Sequence, residues 1–322
     1  MKWIMALFSL GVVVASSTLA QSPPTTSTRN PCGLFSLKAN AGPPTPGHGE
    51  QAHPFTQEVR LALATRLGAG YVRINTRLNG RIPYDELQAA RRAGLGVVLH
   101  VTTHEGGASA GPVTDLAAYR ASLSNVLDHF HPDVLAIENE EVDPSFYSGT
   151  ADQYLAQLQV AIDVAHAHGV KVTNGGLTNR ALSMVLPGVA ANEEDGAHRG
   201  GGARHPDNAR AQRKAAMTEQ LLSAYGHIGL DYVNFHWYRR DPEELEHVVK
   251  LLRERTGKPI ISTELGEYDD SASWPAGVLG ASRRVGLPIA IWFNGDGHRA
   301  VALANADGSL RPNAAGFESA CH

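Results

Sequence analysis

Two acidic clusters carry the residue types that chemistry needs. Val134-Leu135-Ala136-Ile137-Glu138-Asn139-Glu140-Glu141-Val142 is an apolar run that turns acidic where a buried strand would surface. Pro259-Ile260-Ile261-Ser262-Thr263-Glu264-Leu265-Gly266-Glu267-Tyr268 repeats the pattern. Each sets a carboxylate at the carboxyl end of a candidate parallel strand, the end at which barrel enzymes keep their chemistry. Two such carboxylates are the equipment for breaking a glycosidic bond, one as acid/base and one as nucleophile.

The elements that must position these carboxylates recur along the chain. Apolar runs bounded by Gly, Pro or Asn fall at 33–38, 71–75, 96–101, 134–140, 171–175, 232–237, 259–264 and 289–293. Most are rich in Val and Ile without alternation, as expected of strands covered on both faces. Between them Leu116, Tyr119, Leu123, Val126, Leu127 and Phe130 share one helical face. Leu155, Leu158, Ile162 and Ala165 share another, and Leu245, Val248, Val249 and Leu252 a third. Asp115 and Asp241 stand at helix starts, while Gly169 and Gly257 follow last turns. Eight strands alternating with helices predict an α/β fold, a single (β/α)8 TIM barrel. An open doubly wound sheet would carry a Gly-rich phosphate turn after its first strand, and Gly33 to Asn40 has none.

The chain has 322 residues, of which 43% are hydrophobic, enough for one large barrel of roughly 250 residues. A formal net charge of −4 leaves no footprint for nucleic acid or an anionic membrane. Residues 1–20 read as a signal peptide: Lys2, an apolar run from Trp3 to Val14, then small residues up to Ala20. The apolar run is shorter than the ~20 residues that span a bilayer. Residues 21–31 form a Ser/Thr/Pro-rich leader, and 32–322 the barrel domain. A secreted or periplasmic monomer follows, with no membrane partner after cleavage. Its two cysteines, Cys32 and Cys321, stand at either end of the predicted domain. In a closed barrel the first strand lies beside the last helix, so a disulfide is expected in an oxidising compartment; two free thiols are the alternative. The longest irregular connection, Asn179 to Asp207, follows the fifth strand and would shape a cleft, form a lid, or be a plain insertion.

Asn139 directly before Glu140 gives the fourth strand an Ile-Glu-Asn-Glu ending, and Thr263-Glu264-Leu265-Gly266 ends the seventh. In these motifs the chain resembles the clan A retaining glycoside hydrolases, whose fourth strand ends in Asn-Glu and whose seventh ends in a second Glu. The resemblance implies Glu140 as general acid/base and Glu264 as nucleophile, acting on a β-linked glycan by double displacement without a cofactor. It also implies Arg73 beside the nucleophile, Asn139 on the sugar 2-hydroxyl, and His236 and Tyr238 from Phe235-His236-Trp237-Tyr238 next to Glu264. Trp292, in the eighth strand, would lie under the sugar, with Trp237 and Trp274 on the same side of the mouth. His100, followed by His104, would contact substrate from the third strand. One departure is Glu141, where many relatives have proline; Glu138 and Glu267 are rival acids.

The bland readings are a surface ion pair for Arg73, a buried structural histidine for His236 and core packing for the tryptophans. Fifteen histidines invite a metal, yet His129-x-His131 and His166-x-His168 fall at helix ends on the stability face, where the helix dipole alone favours them. No Cys/His spacing suits zinc, so no metal is expected. A glycan-binding barrel without catalysis, and a metal-dependent barrel hydrolase, are the readings from other classes.

Overall fold

The computed structural model describes residues 29–36, 57–103, 110–190, 208–266, 271–294, 302–305 and 309–322. The expected signal peptide, most of the leader, His104, Glu267 and positions 191–207 of the long connection lie outside the described residues. The strands are β1 (Cys32–Ser36), β2 (Tyr71–Arg77), β3 (Gly96–Thr102), β4 (Val134–Ile137), β5 (Lys171–Asn174), β6 (Leu177–Thr178), β7 (Val233–Trp237), β8 (Ile260–Leu265) and β9 (Ala290–Asn294). The helices are α1 (Gln57–Arg66), α2 (Tyr84–Arg92), α3 (Leu116–His129), α4 (Ala151–Ala167), α5 (Asn179–Ser183), α6 (Asn208–Tyr225), α7 (Pro242–Thr256), α8 (Ser273–Arg284) and α9 (Pro312–Cys321).

Every strand pairing is parallel, in the order β5-β4-β3-β2-β1-β9-β8-β7-β6. The fifth stave departs from the sequence expectation, because the strand in the run at 171–175 stops at Asn174 and a second short strand follows at Leu177–Thr178. β5 pairs with β4 and β6 with β7, and a Thr173–Tyr232 bridge joins the two ends of the sheet. The break falls at Gly175-Gly176. A Cβ on Gly175 would stand 2.4 Å from the Glu138 carbonyl oxygen, and Gly176 sits at φ +121° with its Cβ position 2.3 Å from His236 Nε2. Only glycine fits both the backbone angle and the close approach. The chain therefore gives up strand geometry here to let its neighbours in.

Side-chain alternation divides the apolar residues into two layers. Phe35, Tyr71, Val98, Val134, Ala136, Ile261, Ile289, Ile291 and Phe293 fill the barrel interior. The other parity packs against the helices; Leu99, Leu135, Ile137, Phe235 and Leu265 belong to that larger cluster, as do Leu123, Leu158, Val249 and Leu252. The helices begin where their caps say they should. Asp115 accepts from Ala118 N, Asp241 from Glu243 N and Glu244 N, and Thr150 and Gln153 form a reciprocal capping box. Gly257, at φ 65°, ends α7.

Cys32 and Cys321 form the expected disulfide, with a Cα–Cα distance of 5.8 Å, and it ties β1 to α9. Asn30 reinforces the closure by donating to Gly68 O at 2.7 Å and to Cys321 O at 2.6 Å. The connection expected to be irregular from Asn179 onward opens with a helical turn, α5, capped by the Thr178 hydroxyl accepting from Ala181 N. Among the described residues no helix is long and apolar enough to cross a membrane.

Candidate active site

Four strands bring the site together. β2 supplies Arg73, whose neighbour Asn75 accepts from its Nε at 3.1 Å. The guanidinium lies over the Phe35 ring at 4.3 Å, so β1 and β2 fix its plane. Its two terminal nitrogens then reach different strands. Nη1 donates to Glu264 Oε2 at 2.9 Å and Nη2 to Asn139 Oδ1 at 3.0 Å.

The end of β4 explains how four consecutive polar residues point four ways. Val134 and Ala136 face the interior, so strict alternation would send Glu138 inward as well. Instead the strand stops at Ile137, and both Glu138 (φ 60°) and Glu140 (φ 42°) take the left-handed conformation. Left-handed backbone at a residue with a Cβ is costly, on the order of 1–3 kcal/mol each, and persists where surrounding contacts demand it. Glu138 consequently turns outward, accepting from Thr103 and Gln157, each at 2.7 Å. Asn139 meets Arg73, and Glu140 approaches His236 Nδ1 at 3.1 Å. Glu141 turns outward on the far side to Asn174 and Tyr225.

β8 uses a bulge for the same purpose. Phe235 pairs with Ser262 but His236 pairs with Glu264, so Thr263 is one residue extra. Ile261 and Thr263 share inward parity, and the bulge swings Glu264 inward too, toward Arg73. Tyr238, just beyond β7, donates a hydrogen bond to Glu264 Oε1. His236 Nδ1 stands 3.6 Å from Glu264 Oε2, and Nε2 faces Thr263 Oγ1 at 3.2 Å.

Burial would raise the Glu264 carboxyl, but the positive fields of His236 and Arg73 and the hydrogen bonds from Tyr238 and Arg73 outweigh it. The group is held below the usual carboxylate range. Glu138 and Glu141 behave oppositely: burial raises both, and the hydrogen bonds they accept oppose it only in part. Burial also depresses the Arg73 guanidinium, against the pull of Glu264. Glu140, His236 and Glu264 present atoms all within 4.8 Å of one another. Those atoms could bind a cation, but the Arg73 guanidinium sits 2.9 Å from Glu264, and its charge opposes a metal at that point. A pair of carboxylates at that spacing, one held ionised, can protonate a leaving group and attack the carbon it leaves.

Solved structures with this architecture share the same broad plan. A family 5 xyloglucanase from Paenibacillus pabuli superposes with a TM-score of 0.57 at 14% identity, over 90% of this chain and 98% of that one. What the two share is the fold, a (β/α)8 barrel. A GH128 (subgroup II) endo-β-1,3-glucanase from Sorangium cellulosum gives 0.53 at 14% identity, over 84% of this chain and 96% of that one. A GH128 (subgroup VII) oligosaccharide-binding protein from Trichoderma gamsii gives 0.51 at 12% identity, over 94% and 97%. No protein-family model matches the chain, and no curated protein matches it. At these identities the likeness concerns the barrel alone.

Of the residues singled out in the sequence, the barrel gathers Arg73, Asn139, Glu140, His236, Tyr238 and Glu264 into one cluster. His100 also faces the barrel interior, in register with Asn75 and Ala136, and is 1% exposed. Trp292 does not join them. It is fully buried in the layer between barrel and helices, as is Trp237, so neither offers a face to a sugar. Alternation along β9 is the reason: Phe293 takes the inward position, 5.2 Å from the Phe35 ring and 6.1 Å from Tyr238. Trp274 is half-buried near the start of α8 with the Arg240 guanidinium 5.1 Å over its ring. The rival acid Glu138 is fully buried and points away from the cluster. Thr263, Asn174 and Asn234 were missed; for Asn234 and Thr263 the signal was parity, since Asn234 lies two residues before His236 and Thr263 two after the inward Ile261.

Proposed function

We propose that this chain is a retaining glycoside hydrolase acting on a β-linked oligo- or polysaccharide. The observation that carries the reading is the pairing of Glu140 with Glu264, whose ligand-facing oxygens lie within 4.8 Å. Retaining enzymes keep their carboxyl groups about 5–5.5 Å apart, whereas inverting ones leave about 6.5–9.5 Å for a water. In the first step Glu140 gives its proton to the glycosidic oxygen while Glu264 attacks the anomeric carbon, forming a glycosyl ester and releasing the leaving sugar. In the second, Glu140 takes a proton from water, which attacks the same carbon and frees Glu264.

The surrounding residues take roles that follow from their contacts. Arg73 and Tyr238 hold Glu264 ionised and aimed. Asn139 spends its carbonyl on Arg73, which leaves its amide for the sugar 2-hydroxyl. His236 orients Glu140. His100 faces the interior from the third stave in register with Asn75, and at 1% exposure it would reach substrate only if the side chains above it move. The chain is read as a monomer comprising the barrel at 32–322, exported by way of residues 1–20; the Cys32–Cys321 disulfide accords with an oxidising destination.

The similarity to an oligosaccharide-binding barrel favours a second reading, a glycan-binding protein without turnover. One experiment separates the two. Wild type and Glu264→Ala are assayed for reducing-sugar release from β-glucans, xylan, mannan, galactan and aryl β-glycosides, with product anomers followed by NMR. Retained configuration in wild type and loss of release in the variant are expected. Inverted product would sink the double displacement, and saturable binding without release in wild type would establish the binding reading.

A further inference from the structure

Glu141 has no part in the chemistry just described, yet it is fully buried beside it. It begins an unbroken chain of buried polar contacts. Glu141 Oε1 accepts from Tyr225 Oη of α6 at 2.6 Å and from Asn174 Nδ2 of β5 at 2.8 Å. Asn174 clasps Asn234 of β7: its Nδ2 donates to Asn234 O at 3.0 Å and its Oδ1 accepts from Asn234 N at 2.7 Å. Asn234 clasps Thr263 in turn, its Nδ2 donating to Thr263 Oγ1 at 2.7 Å and its Oδ1 accepting from Thr263 N at 2.9 Å. Thr263 Oγ1 then lies 3.2 Å from His236 Nε2, whose other ring nitrogen meets Glu140.

This path starts one residue after Glu140 and ends one residue before Glu264. Glu141, Asn174, Asn234 and Thr263 are each 0% exposed. Two amides used bidentately and in series are a rigid linkage, because moving any member strands a buried donor or acceptor, at a cost of about 1–3 kcal/mol. Thr263 is also the extra residue of the bulge that turns Glu264 inward. At the other end the left-handed Glu140 needs an anchor on its far side, and Glu141 supplies it.

We propose that Glu141, Asn174, Asn234 and Thr263 form one positioning unit that fixes the acid/base corner against the nucleophile's bulge, with the Glu141 carboxyl acting only as a hydrogen-bond acceptor. The proposal rests on the hydrolase reading for its kinetic readout. Both contacts that Glu141 makes are accepted by Oε1, so a carboxamide that keeps this oxygen can replace it.

The test compares Glu141→Gln, Glu141→Leu, Thr263→Val and the Glu141→Leu/Thr263→Val double variant, each first checked for a cooperative melt. Glu141→Gln is expected to keep kcat within about threefold and the wild-type pH profile. Glu141→Leu and Thr263→Val are each expected to lose roughly 30- to 100-fold in kcat with KM within twofold, because misplacement of reacting groups costs about that much. The double variant should lose no more than about threefold beyond the worse single, as residues of one unit do. Glu141→Gln as impaired as Glu141→Leu would overturn the acceptor role, and multiplicative losses would overturn the coupling. Should wild type hydrolyse nothing, the hydrolase reading falls, and the same cycle is read from the ring nitrogen shifts of His236. Non-additive displacements in the folded variants would support the unit; independent ones would overturn it.

Discussion

Replacing Arg73 by Met removes one charge from the most constrained contact in the site and leaves Glu264 buried. Arg73 is 1% exposed and Glu264 12%, with 2.9 Å between them. At that distance two unit charges attract by about 6 kcal/mol at an effective dielectric constant of 20, a ceiling from which desolvation must be subtracted. Breaking a buried pair by removing one partner costs about 3–5 kcal/mol, whereas an exposed pair yields about 0–1. The burial decides between them, so Arg73→Met is expected to lose about 3–5 kcal/mol of unfolding free energy at pH 7. The pH dependence has a definite sign. The folded Glu264 carboxyl is depressed below its ordinary 4.5, so its pairing stabilises the fold fully above that value and is lost as pH falls through the folded value. Urea unfolding of both proteins at neutral pH and at successively lower pH measures the gap. It should narrow as pH falls through the raised Glu264 value of the variant and level off once pH is below the depressed wild-type value. In parallel, loss of Arg73 raises the Glu264 carboxyl, so the acid limb of the activity profile moves upward. A gap under about 1 kcal/mol at pH 7, the value of a surface pair, would refute the reasoning. A gap that widens on acidification would do the same.

Three further outcomes are expected. Cys32→Ser/Cys321→Ser opens a link across 289 residues, for which chain entropy gives a ceiling of about 6 kcal/mol. The expected loss is about 2–5 kcal/mol in denaturant unfolding, matched by reduced wild type, and a loss below about 1 would show that the closure is held by other contacts. Gly176→Ala puts a Cβ 2.3 Å from His236 Nε2 at a backbone angle of +121°, so both stability, by about 2 kcal/mol or more, and kcat should fall. Unchanged kcat would mean that His236 is not set by this contact. Trp292→Phe should lower the melting point through lost packing while leaving oligosaccharide affinity in a calorimeter unchanged. Weaker binding at unchanged stability would restore a sugar-facing role to Trp292.

The alternation of apolar runs and amphipathic helices was legible because both depend on neighbours three or four residues apart at most. Asp115, Asp241 and Gly257 mark their helix ends for the same reason. The polar cluster was legible through its motifs, since Asn139, Glu140, His236, Tyr238 and Glu264 each stand at or just past a strand end, while Arg73 lies within β2, four residues before its end. What misled was facing. Trp292 was chosen for its type and place, but its neighbour Phe293 holds the inward parity, and a shift of one residue reverses every side chain on a strand. The split of the fifth stave was hidden as well, because Gly175 and Gly176 read locally as strand end and turn.

The sequence by itself determined the barrel, its two terminal cysteines and the chemical types gathered at the strand ends, all properties of local pattern and order. The motif singled out Asn139 and Glu140, but only the tertiary structure decided how four adjacent polar residues take different directions. Glu138, Asn139, Glu140 and Glu141 are nearly interchangeable as text, and their directions come from two left-handed backbone angles. Those angles are imposed from outside the segment, by Gln157, Arg73, His236 and Tyr225, which belong to four other elements. Glu264 likewise owes its aim to a bulge whose extra residue, Thr263, is held by Asn234 across the sheet. A backbone held away from its own preference can be accounted for only by the partners that hold it, and those partners are distant in sequence.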